Sequence, residues 1–222
     1  MAQSWHDLLF AHWPVAPEAL RSLIPPQLEL QTFDKRCWVG VVPFRMSGVR
    51  ARWLPAIAGT SCFPELNVRT YVVCGGKPGV YFFSLDAANR LPVKTARLLY
   101  HLPYFHADMQ SDDTGEEIVY RSKRRHNEAE FEGRYRPLGE MHRRSPATLE
   151  HWLTERYCLY TTVNGRVYRG EIHHEPWPLQ DAETDIRVNT MAQAAGVSLP
   201  DTQPLLHFAR TLDVLIWPLR RT

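Results

Sequence analysis

The sharpest alternation in the chain runs over residues 66–73, where Leu66, Val68, Thr70 and Val72 interleave with Asn67, Arg69 and Tyr71. That period of two predicts a strand with one packing face. Gly75-Gly76-Lys77-Pro78-Gly79 turns the chain into a second strand over 80–85, a hairpin with a longer loop. Runs at 105–110 and 118–124 flank Asp112-Asp113-Thr114-Gly115 and predict another hairpin. Ala129, Phe131, Gly133 and Tyr135 alternate with Glu130, Glu132, Arg134 and Arg136, the pattern of a half-exposed strand. Between 157–163 and 166–172 stands Asn164-Gly165, whose two residues accept the positive φ of a type I′ turn. Shorter signals predict a strand over 38–42 stopped by Pro43, and a final strand over 205–217 stopped by Pro218.

Helical spacing is confined to short pieces. Leu20, Leu23 and Ile24 share a face in 17–24, and Pro25-Pro26 ends that element. Pro92 suits the first turn of a helix reaching about His101. Ser145-Pro146 reads as a cap and first turn before Leu149, Trp152 and Leu153, and 191–195 is followed by a stop at Gly196. Many antiparallel strands with few short helices predict an α+β fold, mainly antiparallel β, closed into a barrel or strongly curved sheet. No repeat or linker divides the chain, so a single domain over 1–222 is expected.

Composition narrows the function. With 222 residues, 44% hydrophobic and 23% charged, the chain can bury a substantial core. A net charge of +2 gives no support to nucleic acid or membrane as the main partner. The basic clusters Lys123-Arg124-Arg125 and His142-Arg143-Arg144 read as solvated loops or strand ends. There is no leader-like start and no run near the ~18 apolar residues of a membrane helix. Cys37, Cys62, Cys74 and Cys158 are too scattered for structural zinc and suit free thiols in a reducing cytoplasm. No metal, no cofactor motif and no G-x-S-x-G nucleophile is expected, and nothing fixes an oligomeric state.

The stretch 17–30, Pro-Glu-Ala-Leu-Arg-Ser-Leu-Ile-Pro-Pro-Gln-Leu-Glu-Leu, resembles the opening of acetoacetate decarboxylase and its relatives. Residues 38–44, 63–72, 79–87, 154–160, 174–179 and the last strand are similar to the YqjF-like bacterial family of unknown function, a divergent branch of that superfamily. The resemblance implies a cone-shaped β-barrel with flanking short helices around an interior pocket. It also sets Lys94 near the Schiff-base lysine of the decarboxylases. The adjacent second lysine of that pattern is missing, since Val93 and Thr95 flank Lys94, while Arg90 and Arg97 stand four before and three after it. A Schiff-base lysine must be neutral, its pKa brought well down from ~10.4. Acetoacetate decarboxylation is therefore expected to be absent or slight.

Candidate residues follow from the strands. Glu65, Asn67, Arg69 and Tyr71 lie on one face of one strand, suited either to a polar cavity or to solvent. Asp86 ends the partner strand and offers a counter-charge to Arg69 if the hairpin register sets it beside Asn67, and Asn89 and Arg90 follow in the connection to the next helix. The Asn164-Gly165 register sets Glu155 opposite His174, an acid/base pair or a structural one. The catalytic candidates are Lys94, Glu65, Glu155 and His174. The ligand-binding candidates are Asn67, Arg69, Tyr71, Asp86, Asn89 and Arg90. Together they suggest a small-molecule-binding barrel with an interior polar pocket for a small carboxylate or carbonyl metabolite. The alternatives are a lyase or hydrolase-like enzyme on a small keto acid, using Lys94 or an acid/base pair, and a partner-binding scaffold without a ligand.

Overall fold

The computed structural model describes residues 1–50, 62–88, 101–143 and 145–222. Among the described residues thirteen strands form one continuous sheet. The first five are β1 (Ala2–Val15), β2 (Glu29–Leu30), β3 (Cys37–Arg50), β4 (Phe63–Cys74) and β5 (Lys77–Ala87). Then come β6 (Tyr104–Asp113), β7 (Ile118–Arg124), β8 (Glu130–His142), β9 (Cys158–Val163) and β10 (Arg166–His173). Last are β11 (Leu179–Asn189), β12 (Leu205–Ile216) and β13 (Arg220–Arg221). The helices among the described residues are short: α1 (Pro17–Arg21), α2 (Leu149–Thr154) and a 3₁₀ turn at Gln193–Ala195.

The sheet closes twice around a shared wall, β5-β4-β3-β1-β12. Each end of that wall forks. The outer edge of β5 pairs in parallel with β9 at Val80 and Tyr81, and with β6 at Leu85, Asp86 and Ala87. The outer edge of β12 pairs with β11 at His207 and Phe208, and with β10 at Leu215 and Ile216. Strands β9 and β10 therefore close a first ring on one face of the wall, and β6, β7, β8 and β11 close a second on the other.

Because the wall is covered on both faces, its strands bury successive residues. In β1, Leu8 and Phe10 pack inside the first ring while Leu9 and Ala11 pack inside the second. A strand buried on both faces shows no apolar–polar alternation. For that reason the 14-residue β1 has no counterpart in the sequence expectations.

Several expected elements are present. The Asn164-Gly165 turn has φ of 51° and 74°, with Val163 opposite Arg166. The β4–β5 and β6–β7 hairpins and the half-exposed β8 are formed, and Gly196 ends the 3₁₀ turn at φ 80°. Two boundaries differ. Pro43 lies inside β3 rather than at its end, beside the stretch where β1 bulges between His6 and Ala11 and its register with β3 breaks. A proline is tolerated where the ladder is already interrupted. The cap of α2 is Thr148, which accepts from the His151 N–H at 3.3 Å, and not Ser145. Ala147 in between has φ 71°, which no helix can include. The expected helix after Pro92 lies largely outside the described residues.

Candidate ligand site inside the first ring

The β4 stripe faces the interior of the first ring. Glu65, Asn67, Arg69 and Tyr71 are all buried, and Leu66 and Val68 on the opposite face belong to the second core. The wall places two further polar groups beside them. His12, from β1, shares a 2.7 Å hydrogen bond between its Nε2 and the Tyr71 hydroxyl. Its ring lies over Gly40 of β3, where any Cβ would stand 3.0 Å from the imidazole and 3.5 Å from Arg69 Cγ. Gly40 thus leaves the room that lets β1 and β4 meet across β3.

Arg156, from the connector between α2 and β9, completes the cluster. Its guanidinium carbon lies 4.4 Å from the Trp152 ring centroid and 5.1 Å from that of Tyr71. Arg69 stands 5.9 Å from the Tyr71 centroid and 5.3 Å from that of Phe10. These two arginines are 8% and 7% exposed, yet Nε and Nη2 of both are buried without a hydrogen-bond partner. His12 Nδ1, Asn67 Oδ1 and Trp38 Nε1 are buried and unpartnered as well. Such groups are few in a folded protein, and five residues in one neighbourhood call for an explanation. Aromatic faces attract a guanidinium but accept no in-plane N–H bond.

The electrostatics follow from burial. Desolvation, with Arg69 and His207 adding to it, holds His12 well below its ordinary value, so the ring is neutral at pH 7. Arg156 is drawn down to about 10 by burial and by Arg69, with Tyr71 acting in the opposite direction, and remains a cation. Burial pushes Glu65 up to about 8, against the hydrogen bond of 2.9 Å that the Tyr104 hydroxyl donates to it. Glu65 is therefore mostly protonated at neutral pH.

One expected pairing is corrected. Asp86 lies opposite Leu66, on the second-ring face of the wall. It is paired there with Arg124 of β7, at 3.0 and 2.6 Å, and not with Arg69. A bulge between Val68 and Arg69 shifts the hairpin register, so Arg69 stands opposite Phe82. Glu155 and His174 are neighbours without a direct hydrogen bond. Glu155 accepts the Trp177 N–H at 2.9 Å and the Tyr157 hydroxyl, while His174 lies 2.7 Å from the Glu175 carbonyl and 3.4 Å from that of Arg156. The ring stacks on Tyr157 at 4.6 Å, and burial lowers its pKa. This arrangement clamps the chain ahead of β11. Lys94, Asn89 and Arg90 lie outside the described residues.

No pattern in the sequence marks Arg156, His12 or Trp38 as site residues. Arg156 sits in an irregular connector, and His12 lies in a strand whose alternation burial has erased. Among the described residues no cluster of three or more metal-ligating side chains occurs, and no helix is long and apolar enough to cross a membrane. The four cysteines are unpaired.

This doubly closed sheet is the acetoacetate decarboxylase-like fold. The acetoacetate decarboxylase of Legionella pneumophila subsp. pneumophila str. Philadelphia 1 superposes with a TM-score of 0.68 at 12% identity, over 100% of this chain and 86% of that one. The enduracididine biosynthesis enzyme MppR complexed with pyruvate gives 0.68 at 10% identity, over 99% and 89%. Identities this low show the fold alone. The chain belongs to the DUF2071 family, described as an uncharacterised conserved protein, whose model matches residues 2–213. It is 52% identical over 222 residues to the uncharacterised protein YqjF of Bacillus subtilis (strain 168), covering 100% of this chain and 92% of the relative.

Proposed function

We propose that the interior of the first ring binds a small carboxylate or carbonyl metabolite, with its anionic group held by Arg69 and Arg156. The observation that carries this reading is the set of unpartnered guanidinium N–H groups on two buried arginines. Leaving charged donors unpaired away from water costs several kcal/mol, a cost that a bound carboxylate relieves by accepting paired N–H bonds. Trp38 Nε1 is a further donor and Asn67 Oδ1 an acceptor, which suits a ligand carrying a carbonyl or hydroxyl beside its carboxylate. The MppR complex adds that a protein of this fold binds pyruvate. Clustered buried charge also favours a ligand site over a partner-binding scaffold.

The test is calorimetric titration with pyruvate at pH 7. Saturable binding by the parent chain, weakened in both Arg69→Gln and Arg156→Gln, is expected. Binding that both variants retain at the parent's affinity would contradict the site.

Turnover of such a ligand has one observation in its favour. Glu65, held near pH 8 inside the ring, has an affinity for protons suited to acid/base work near neutrality. Deuterium exchange at the methyl group of pyruvate, followed by NMR, examines this directly. Catalysed exchange by the parent and none by Glu65→Gln would support an enzyme. No exchange above buffer would leave a binding protein.

A further inference from the structure

The charge inside the first ring is not balanced by the protein. Arg69 and Arg156 bring two positive charges into the same buried neighbourhood, from β4 and from the α2–β9 connector. Every Asp and Glu of the sequence lies among the described residues. None of them forms an ion pair with either arginine there. Asp86 is committed to Arg124 on the far face of the wall, and Glu155 is turned to Trp177 and Tyr157. Glu65 shares the face but holds its proton at neutral pH. The surrounding rings of Phe10, Tyr71 and Trp152 carry no net charge.

We propose that the ligand is a dianion, a small dicarboxylate that places one carboxylate on Arg69 and the other on Arg156. This deepens the carboxylate reading above and rests on it. A monocarboxylate brings one negative charge to two guanidinium groups and leaves a net positive charge buried and uncompensated, an arrangement that is costly in a low-dielectric interior. Two carboxylates neutralise both. Each guanidinium carbon lies within 6 Å of the same Tyr71 ring centroid, at 5.9 and 5.1 Å, which keeps the two groups close enough for a dicarboxylate with a few carbons between its ends. The planar fork of arginine matches a carboxylate at each end.

Titration of the parent chain at pH 7 with propionate and pyruvate, and with malonate, succinate and glutarate, separates the possibilities. At least one dicarboxylate is expected to bind about tenfold or more tightly than either monocarboxylate, the discrimination typical of an added charged hydrogen bond. Arg156→Gln should abolish that preference, and Arg156→Lys, which keeps the charge, should retain part of it. Equal affinities for all five ligands in the parent would overturn the dianion and leave the carboxylate site standing. If none of the five binds, both readings fall. The comparison within the parent decides even where a variant does not fold.

Discussion

The imidazole Nε2 of His12 and the hydroxyl of Tyr71 stand 2.7 Å apart, joining β1 to β4 across the intervening β3. Both side chains are fully buried. Removing the hydroxyl leaves an imidazole nitrogen with no partner in a dry interior. Tyr71→Phe should therefore lower stability by about 1–3 kcal/mol. Urea unfolding of parent and variant measures this, and coincident curves would mean that the contact contributes no net stability.

Gly40 permits that contact, because a Cβ there would meet His12 Cδ2 and Nε2 at 3.0 Å. Gly40→Ala must push the imidazole off Tyr71 or strain β3. A loss of about 1–3 kcal/mol is expected, the usual cost of overpacking a well-filled site. Pyruvate affinity should fall with it, since Arg69 Cγ is the next atom in line at 3.5 Å. An unchanged melt together with unchanged pyruvate affinity would show that the ring has room to move.

On the other face of the wall, the Asp86–Arg124 pair is fully buried and bidentate. Asp86→Asn strands the Arg124 guanidinium, whose carbon lies 3.8 Å from the Phe105 ring centroid. Stability should drop by about 3–5 kcal/mol, the cost of breaking one partner of a buried pair. A double-mutant cycle with Arg124→Met should show strong coupling, and additive effects would contradict the pairing.

Glu65 gives stability a pH dependence of defined sign. Its folded pKa of about 8 lies above the ordinary 4.5, so between these values the folded chain holds a proton that the unfolded chain releases. The contribution is complete below the unfolded pKa and is lost as pH rises through the folded one. Glu65→Gln mimics the protonated carboxyl. It should match the parent near pH 4.5 and exceed it by a few kcal/mol at pH 9, where the parent must bury a carboxylate or take up a proton. Denaturant melts at several pH values test this. A stability difference that stays constant with pH would show that Glu65 does not titrate in this window.

The outer parts of the fold were legible where a strand has one wet face. β8 and the Asn164-Gly165 hairpin announce themselves because their alternation and turn chemistry are local. β1 and the true extent of β3 were not legible, since burial on both faces removes alternation and a bulge accommodates Pro43. β11 escaped for the opposite reason: Ala182, Thr184, Ile186 and Val188 alternate with polar residues, but too weakly to stand out. Of the site, the Glu65–Tyr71 stripe followed from period two. Its neighbours His12 and Arg156 come from distant segments whose meeting depends on the double closure of the sheet. The Asp86–Arg69 pairing failed on a single bulge, which no local pattern encodes.

The Nε–H groups of Arg69 and Arg156 report directly on an anion between them. In a ¹⁵N-labelled chain their resonances can be assigned with Arg69→Lys and Arg156→Lys and followed during titration with pyruvate and succinate. Both should shift together and saturate as a carboxylate takes up the unpartnered N–H groups, with the larger shifts for succinate. Resonances that stay fixed while surface arginines respond would contradict an anion site inside the first ring.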